Sequence, residues 1–144
     1  MNDVAPRTLT ARQYRAMTRL GQALVPGSEG MPGYREVDAA RFAWRALAPA
    51  RGADREALLV LINLLGVVPA PLLRCFFTLL ALWGRLPGWP GAPARLLDIG
   101  LRGLVMNTYY AGLDQCGPAG ESAVHRAMDF RLQCEPLKET TYDD

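Results

Sequence analysis

"REALLVLINLLGVVPAPLLRCFFTLLALWG", residues 55 to 84, decides the fold. It divides into two segments on either side of "PAP". After Arg55 and Glu56 the first, 55–68, is apolar nearly all round, with Asn63 the exception; the second, 71–84, repeats the pattern, with Arg74 and Thr78 the exceptions. A helix that is apolar all round belongs either at the centre of a bundle or in a membrane. A bilayer span needs about 20 apolar residues in a row, and the first segment falls short before it meets the prolines. Read as one span, the two segments put Pro69, Pro71 and Arg74 near the middle, where an arginine costs about 2.5–3.5 kcal/mol. Two core helices of a bundle are therefore predicted, with Cys75 a buried thiol in the second.

The neighbouring stretches carry helix signals of their own. In "LTARQYRAMTRLGQALVPG" (9–27), Thr10 is a good N-cap and Gln13, three residues on, completes a capping box. Tyr14, Met17, Leu20 and Leu24 follow helical spacing, and Pro26 with Gly27 ends the run. "PGSEGMPG" (26–33) lacks both GxGxxG and a GK[ST] ending and follows a helix, so it reads as a connector rather than a phosphate loop. A second helix is predicted over 34–48, with Val37, Arg41, Trp44 and Leu47 on one side. Downstream, "LPGWPGAP" is another connector, and a long helix is predicted over 93–112. Pro93 sits in its first turn, Leu97, Leu101, Leu104 and Thr108 form one stripe, and Asp98 is four residues from Arg102. A short sixth helix is expected within "AGESAVHRAMDFRLQ".

No alternating strand pattern and no repeat of fixed period occurs. The expected fold is all-α: a single-domain bundle of five or six helices with Gly/Pro-rich connectors. Residues 1–8 form an N-terminal extension, 9–131 the helical domain and 132–144 a polar, acidic tail. A chain of 144 residues, 50% hydrophobic, is long enough for one packed core. The net charge of +2 is too small to imply nucleic-acid binding, but it is unevenly spread: thirteen arginines against seven acids before residue 114, then seven acids against Arg126, Arg131 and Lys138. Arg12, Arg15 and Arg19 lie along one side of the first helix and read as a solvated face, with no recognition-helix signature behind them.

Candidate chemistry gathers late in the chain. His125, the sole histidine, follows Ser122 by three residues and precedes Asp129 by four, so one helix face could hold all three. No GxSxG elbow surrounds Ser122, and Ser122 stands where an ExxH metal motif needs glutamate. No catalytic, cofactor-binding or metal-ligating set is therefore assigned. Three cysteines, at 75, 116 and 134, show no CxxC spacing. Cys116 and Cys134 pair only if the chain folds back between them, and the odd total argues for a reducing compartment. "MNDVAPRTLTARQYRAM" has no apolar leader core and no paired arginines, so a cytoplasmic location is expected, or a periplasmic one if the chain is exported with a partner or has lost a leader.

Two stretches together resemble a known family. "LTARQYRAMTRLGQALVPGSEGMPG" (9–33) looks like the opening of the small, gamma-type subunit of gluconate 2-dehydrogenase-like enzymes: a capped helix, an alanine-leucine-valine-proline ending, then a loop with a late proline-glycine. "LRGLVMNTYYAG" (101–112) is similar to the late helix of the same proteins, which ends in paired aromatics. The resemblance covers about residues 8 to 115, and the tail lies outside it. It implies a non-catalytic helical subunit with no cofactor of its own. The implied partner is an FAD-containing large dehydrogenase subunit of the glucose-methanol-choline (GMC) type, which oxidises an alcohol or sugar and often passes electrons to a cytochrome. Relatives often carry a twin-arginine leader, a feature this sequence departs from. The residues expected to touch the partner are Tyr109, Tyr110, Arg102, Phe130, Leu137 and Tyr142, since tyrosine and arginine are enriched as interface anchors. Two other readings stay open: a small helical enzyme using Tyr109, Tyr110 or His125, and a membrane-associated helical protein using residues 56–84.

Overall fold

The computed structural model describes residues 9–111 and 122–130. Among them the chain forms an all-α bundle: six α-helices, a 3-10 turn and no strand, with one isolated bridge between Ser28 and Met31. α1 (Ala11–Leu24) starts at the predicted capping box. The Gln13 backbone N–H donates to Thr10 Oγ1 at 3.3 Å, and the Thr10 N–H donates to Gln13 Oε1 at 2.8 Å. Its buried face is Ala16, Met17, Leu20, Gly21 and Ala23, so small residues do much of the packing. Tyr14 is not on that face; its hydroxyl donates to Asp38.

The predicted second helix over 34–48 does not form as one element. A run of turns leads to a 3-10 turn (Ala39–Phe42), and only Ala43–Leu47 is α-helical, as α2. The break is at Asp38, whose φ of 51° is left-handed and cannot continue an α-helix. Tyr34, one turn earlier, is pulled fully inside, and its backbone N–H is held by Val25 O at 3.0 Å.

α3 (Gly52–Leu65), α4 (Ala70–Gly84) and α5 (Ala92–Tyr110) follow, with α6 (Ala123–Ala127) after the undescribed segment. Two arginines close helix ends from neighbouring elements. Arg19 on α1 donates to Gly66 O at 2.9 Å at the end of α3, and Arg95 on α5 donates to Gly84 O at 2.8 Å and Leu86 O at 3.0 Å at the end of α4. Each satisfies carbonyls that no intrahelical N–H can reach, at the negative end of the helix dipole. Gly66 lets α3 come down on α1: a Cβ there would stand 2.3 Å from Ala16 Cβ.

The two apolar segments are only half buried. α4 packs on α5 and α1, while α3 packs substantially on α1 alone. Ile62, Leu65, Leu73, Phe77 and Leu80 enter the core, whereas Val60, Leu64, Val67, Leu72, Leu79, Leu82 and Trp83 face outward. Cys75 is exposed rather than buried, because it lies on that outward side of α4. No helix of the described residues is long and apolar enough to cross a membrane.

Candidate docking surface

The two stretches that carry the family resemblance meet in space at the C-terminal end of α5. Tyr34 lies across α1 at Gly21, where a Cβ would fall on its ring. Its hydroxyl is 2.8 Å from Thr108 Oγ1, and Thr108 in turn donates within its own helix to Leu104 O or Val105 O. The Tyr109 ring stacks near Tyr34 at 6.4 Å, and its hydroxyl donates to Pro32 O in the 26–33 connector at 2.5 Å. Burial lifts the Tyr34 phenol well above the usual 10.0, so it stays protonated. The network clamps connector to helix. It places Tyr109, 2% exposed, in the core and not on the surface expected of an anchor.

Tyr110 does face outward, edge-on to Tyr109. Its carbonyl accepts from His125 Nε2 at 3.0 Å, and Phe130 stands edge-on to the His125 ring at 5.2 Å. His125 thus touches the Tyr110 backbone on one side and the Phe130 ring on the other, and latches α6 onto α5. Arg102 lies elsewhere: Nε donates to Asp98 Oδ1 at 2.7 Å, and the guanidinium sits 5.3 Å from the Phe77 ring centroid, joining α5 to α4. Leu137, Tyr142, Cys116 and Cys134 fall outside the described residues.

The serine–histidine–aspartate face does not assemble on α6, which is only five residues long. Ser122 is its buried N-cap, with Oγ accepting from Val124 N at 3.2 Å. Asp129 lies beyond the helix in a left-handed conformation, with φ of 51°. Among the described residues no three His, Cys, Asp or Glu side chains are placed to share a metal ion.

The outward side of α4 is apolar. Leu72, Leu79 and Leu86 recur every seven residues along α4 and just past its end, with Leu82 and Trp83 between them. The following loop holds Trp89, 84% exposed, between Pro87 and Pro90; on α5, Leu96 and Ile99 are exposed as well. Between the helices Leu80, Trp83, Pro90, Pro93, Ala94 and Leu97 line a shallow notch of about 210 Å³. Isolated exposed leucines are ordinary, but an exposed apolar stripe that repeats along one helix, as on α4, points to an interaction surface. Periodicity alone does not locate it, since in an all-round apolar helix every face scores alike. The available signal was the excess of apolar residues over what one bundle can bury, with Trp89 fixed between prolines. Comparison with known proteins finds no family model, no curated protein and no solved structure that matches this chain.

Proposed function

We propose that this chain is a non-catalytic accessory subunit that binds and stabilises a larger protein, an FAD-dependent alcohol or sugar dehydrogenase subunit of the GMC type. The docking half of the reading is supported by one observation: the outward apolar face of α4, the Trp89 loop and α5, which the bundle leaves in water. Trp83 and Trp89 are the natural anchors, because tryptophan dominates interface energetics when buried centrally. The partner's identity is supported by residues 9–33 and 101–112, the stretches that resemble the gamma-type subunit; the Tyr109 hydroxyl, donating to Pro32 O, joins the two. On this reading FAD and the redox step belong to the large subunit, which passes electrons to a cytochrome or another acceptor, and this chain supplies surface.

Co-expression of the tagged full chain with a GMC-type flavoprotein from the same genome tests the proposal. The expected result is co-elution at fixed stoichiometry, with flavin absorbance in the complex and none in the small chain purified alone. A stoichiometric chromophore in the small chain by itself, or a stable partner without flavin, would overturn it.

A further inference from the structure

A second surface, on different helices, has a different chemistry. Arg12, Arg15 and Arg19 stand at i, i+3 and i+7 on α1 and line a groove of about 470 Å³ whose other wall is Asn63, Gly66 and Val67 at the end of α3. At 1.5 Å rise per residue the row is about 10 Å long. Three features set it apart from an ordinary solvated face. The first is charge without an answer: α1 has no acid in its first turn, and the one ion pair among the described residues is Arg102–Asp98. Arg12 is in that first turn and Arg15 one residue beyond it, where the helix dipole already disfavours positive charge. The second is Asn63, a residue of the groove wall whose side-chain oxygen is buried without a hydrogen-bond partner. An unpaired buried acceptor of this kind is uncommon in a folded chain. The third is apolar: Val60, Leu64 and Val67, at i, i+4 and i+7 on α3, are all exposed, and Val67 belongs to the groove itself.

We propose that this groove binds an acidic, amphipathic segment of a partner protein. Carboxylates along one side of the segment pair with Arg12, Arg15 and the N–H groups of Arg19 not used at Gly66. Its apolar side covers Val60, Leu64 and Val67. Acidic-motif recognition by clustered arginines and helix-in-groove docking are both established modes of peptide binding. A single small anion does not span the arginine row. A nucleic acid satisfies the guanidiniums but leaves the valine–leucine stripe in water, and a flat anionic membrane does not reach into the groove to Asn63. The site stands on α1 and α3 and does not depend on what covers α4 and α5.

The probe is a fluorescein-labelled synthetic helical peptide with glutamates at i, i+3 and i+7 and leucines on the adjoining stripe, titrated with the full chain and followed by anisotropy. Arg12→Gln/Arg15→Gln removes two side chains that make no hydrogen bond or ion pair within the described residues, so folding is retained, as circular dichroism will show. This variant is expected to bind about tenfold more weakly or worse, and Val67→Ser several-fold more weakly. Arg51→Gln/Arg85→Gln removes the same charge elsewhere and is expected to stay within about twofold of the parent. Absence of binding, or equal weakening by both arginine pairs, overturns the proposal. So does binding to phosphatidylserine vesicles that the peptide fails to displace. A full chain carrying Glu135→Gln, Glu139→Gln, Asp143→Asn and Asp144→Asn that binds the peptide about tenfold tighter than the parent identifies the chain's own acidic end as the occupant, and overturns the assignment to a partner.

Discussion

Tyr34 shows what one side chain contributes to this fold. It is wholly buried between Gly21, Thr108 and Tyr109, and its phenol stays neutral because burial, the dominant effect, raises its pKa above the usual 10.0; the hydrogen bond with Thr108 opposes that rise only in part. The folded chain therefore holds this proton at pH values where the unfolded chain has released it. The stabilisation is complete below about pH 10 and declines above it, by up to about 1.4 kcal/mol per pH unit. Tyr14 acts in the same direction, its pKa raised first by its hydrogen bond to Asp38. Tyr34→Phe is expected to lower stability near neutrality by about 0.5–1.5 kcal/mol through the lost hydrogen bond and to flatten the alkaline decline. Urea unfolding at a series of pH values checks both, and an unchanged alkaline slope would contradict this account of Tyr34. Little of this role was legible beforehand. The 34–48 stretch has helical periodicity, but the aromatic that seats it needs the bare backbone of Gly21, thirteen positions away, and such a long-range fit leaves no local pattern. The same holds for Tyr109, whose partner is a carbonyl in a distant connector.

At the scale of elements, the helix inventory was readable where local chemistry sets it. The Thr10–Gln13 box opens α1, prolines separate α3 from α4 and sit in the first turn of α5, and Asp98 pairs with Arg102 across one turn as its spacing implied. What was not readable is which face of α3 and α4 points inward. Both helices are apolar all round, so burial is decided by where the small residues let backbones approach. Gly66 is one such point. Gly66→Ala places a methyl 2.3 Å from Ala16 Cβ and 2.7 Å from its Cα, inside the space of a backbone rather than of a flexible side chain. Because α3 has α1 as its one substantial helix partner, the strain has no other contact to absorb it. A loss of about 1–3 kcal/mol is expected, measured by thermal or urea unfolding. A loss below about 0.5 kcal/mol, the size of an ordinary surface change, would mean that the α1–α3 approach is looser than it stands here.

Across the whole molecule, the apolar content exceeds what the core encloses. The bundle does not enclose both sides of α3 and α4, and the surplus is exposed, including a stripe at seven-residue spacing along α4 and two tryptophans. Of the late aromatic stretch, the described residues have structural contacts. Tyr109 is a clamp, Ser122 a cap and His125 a latch on Tyr110. The candidate docking residues on α4 come from the segment whose pattern predicts core. The most direct test is a full chain carrying Leu79→Ser, Leu82→Ser and Trp83→Ser, three outward changes on α4, compared with the parent for retention of the flavoprotein on a tagged column. The account predicts that the variant keeps its helical circular dichroism, since none of the three side chains is in the core, yet loses co-purifying flavin by about a hundredfold or more, as expected when central anchors are removed. Parent-like retention of the flavoprotein by a folded variant would contradict it.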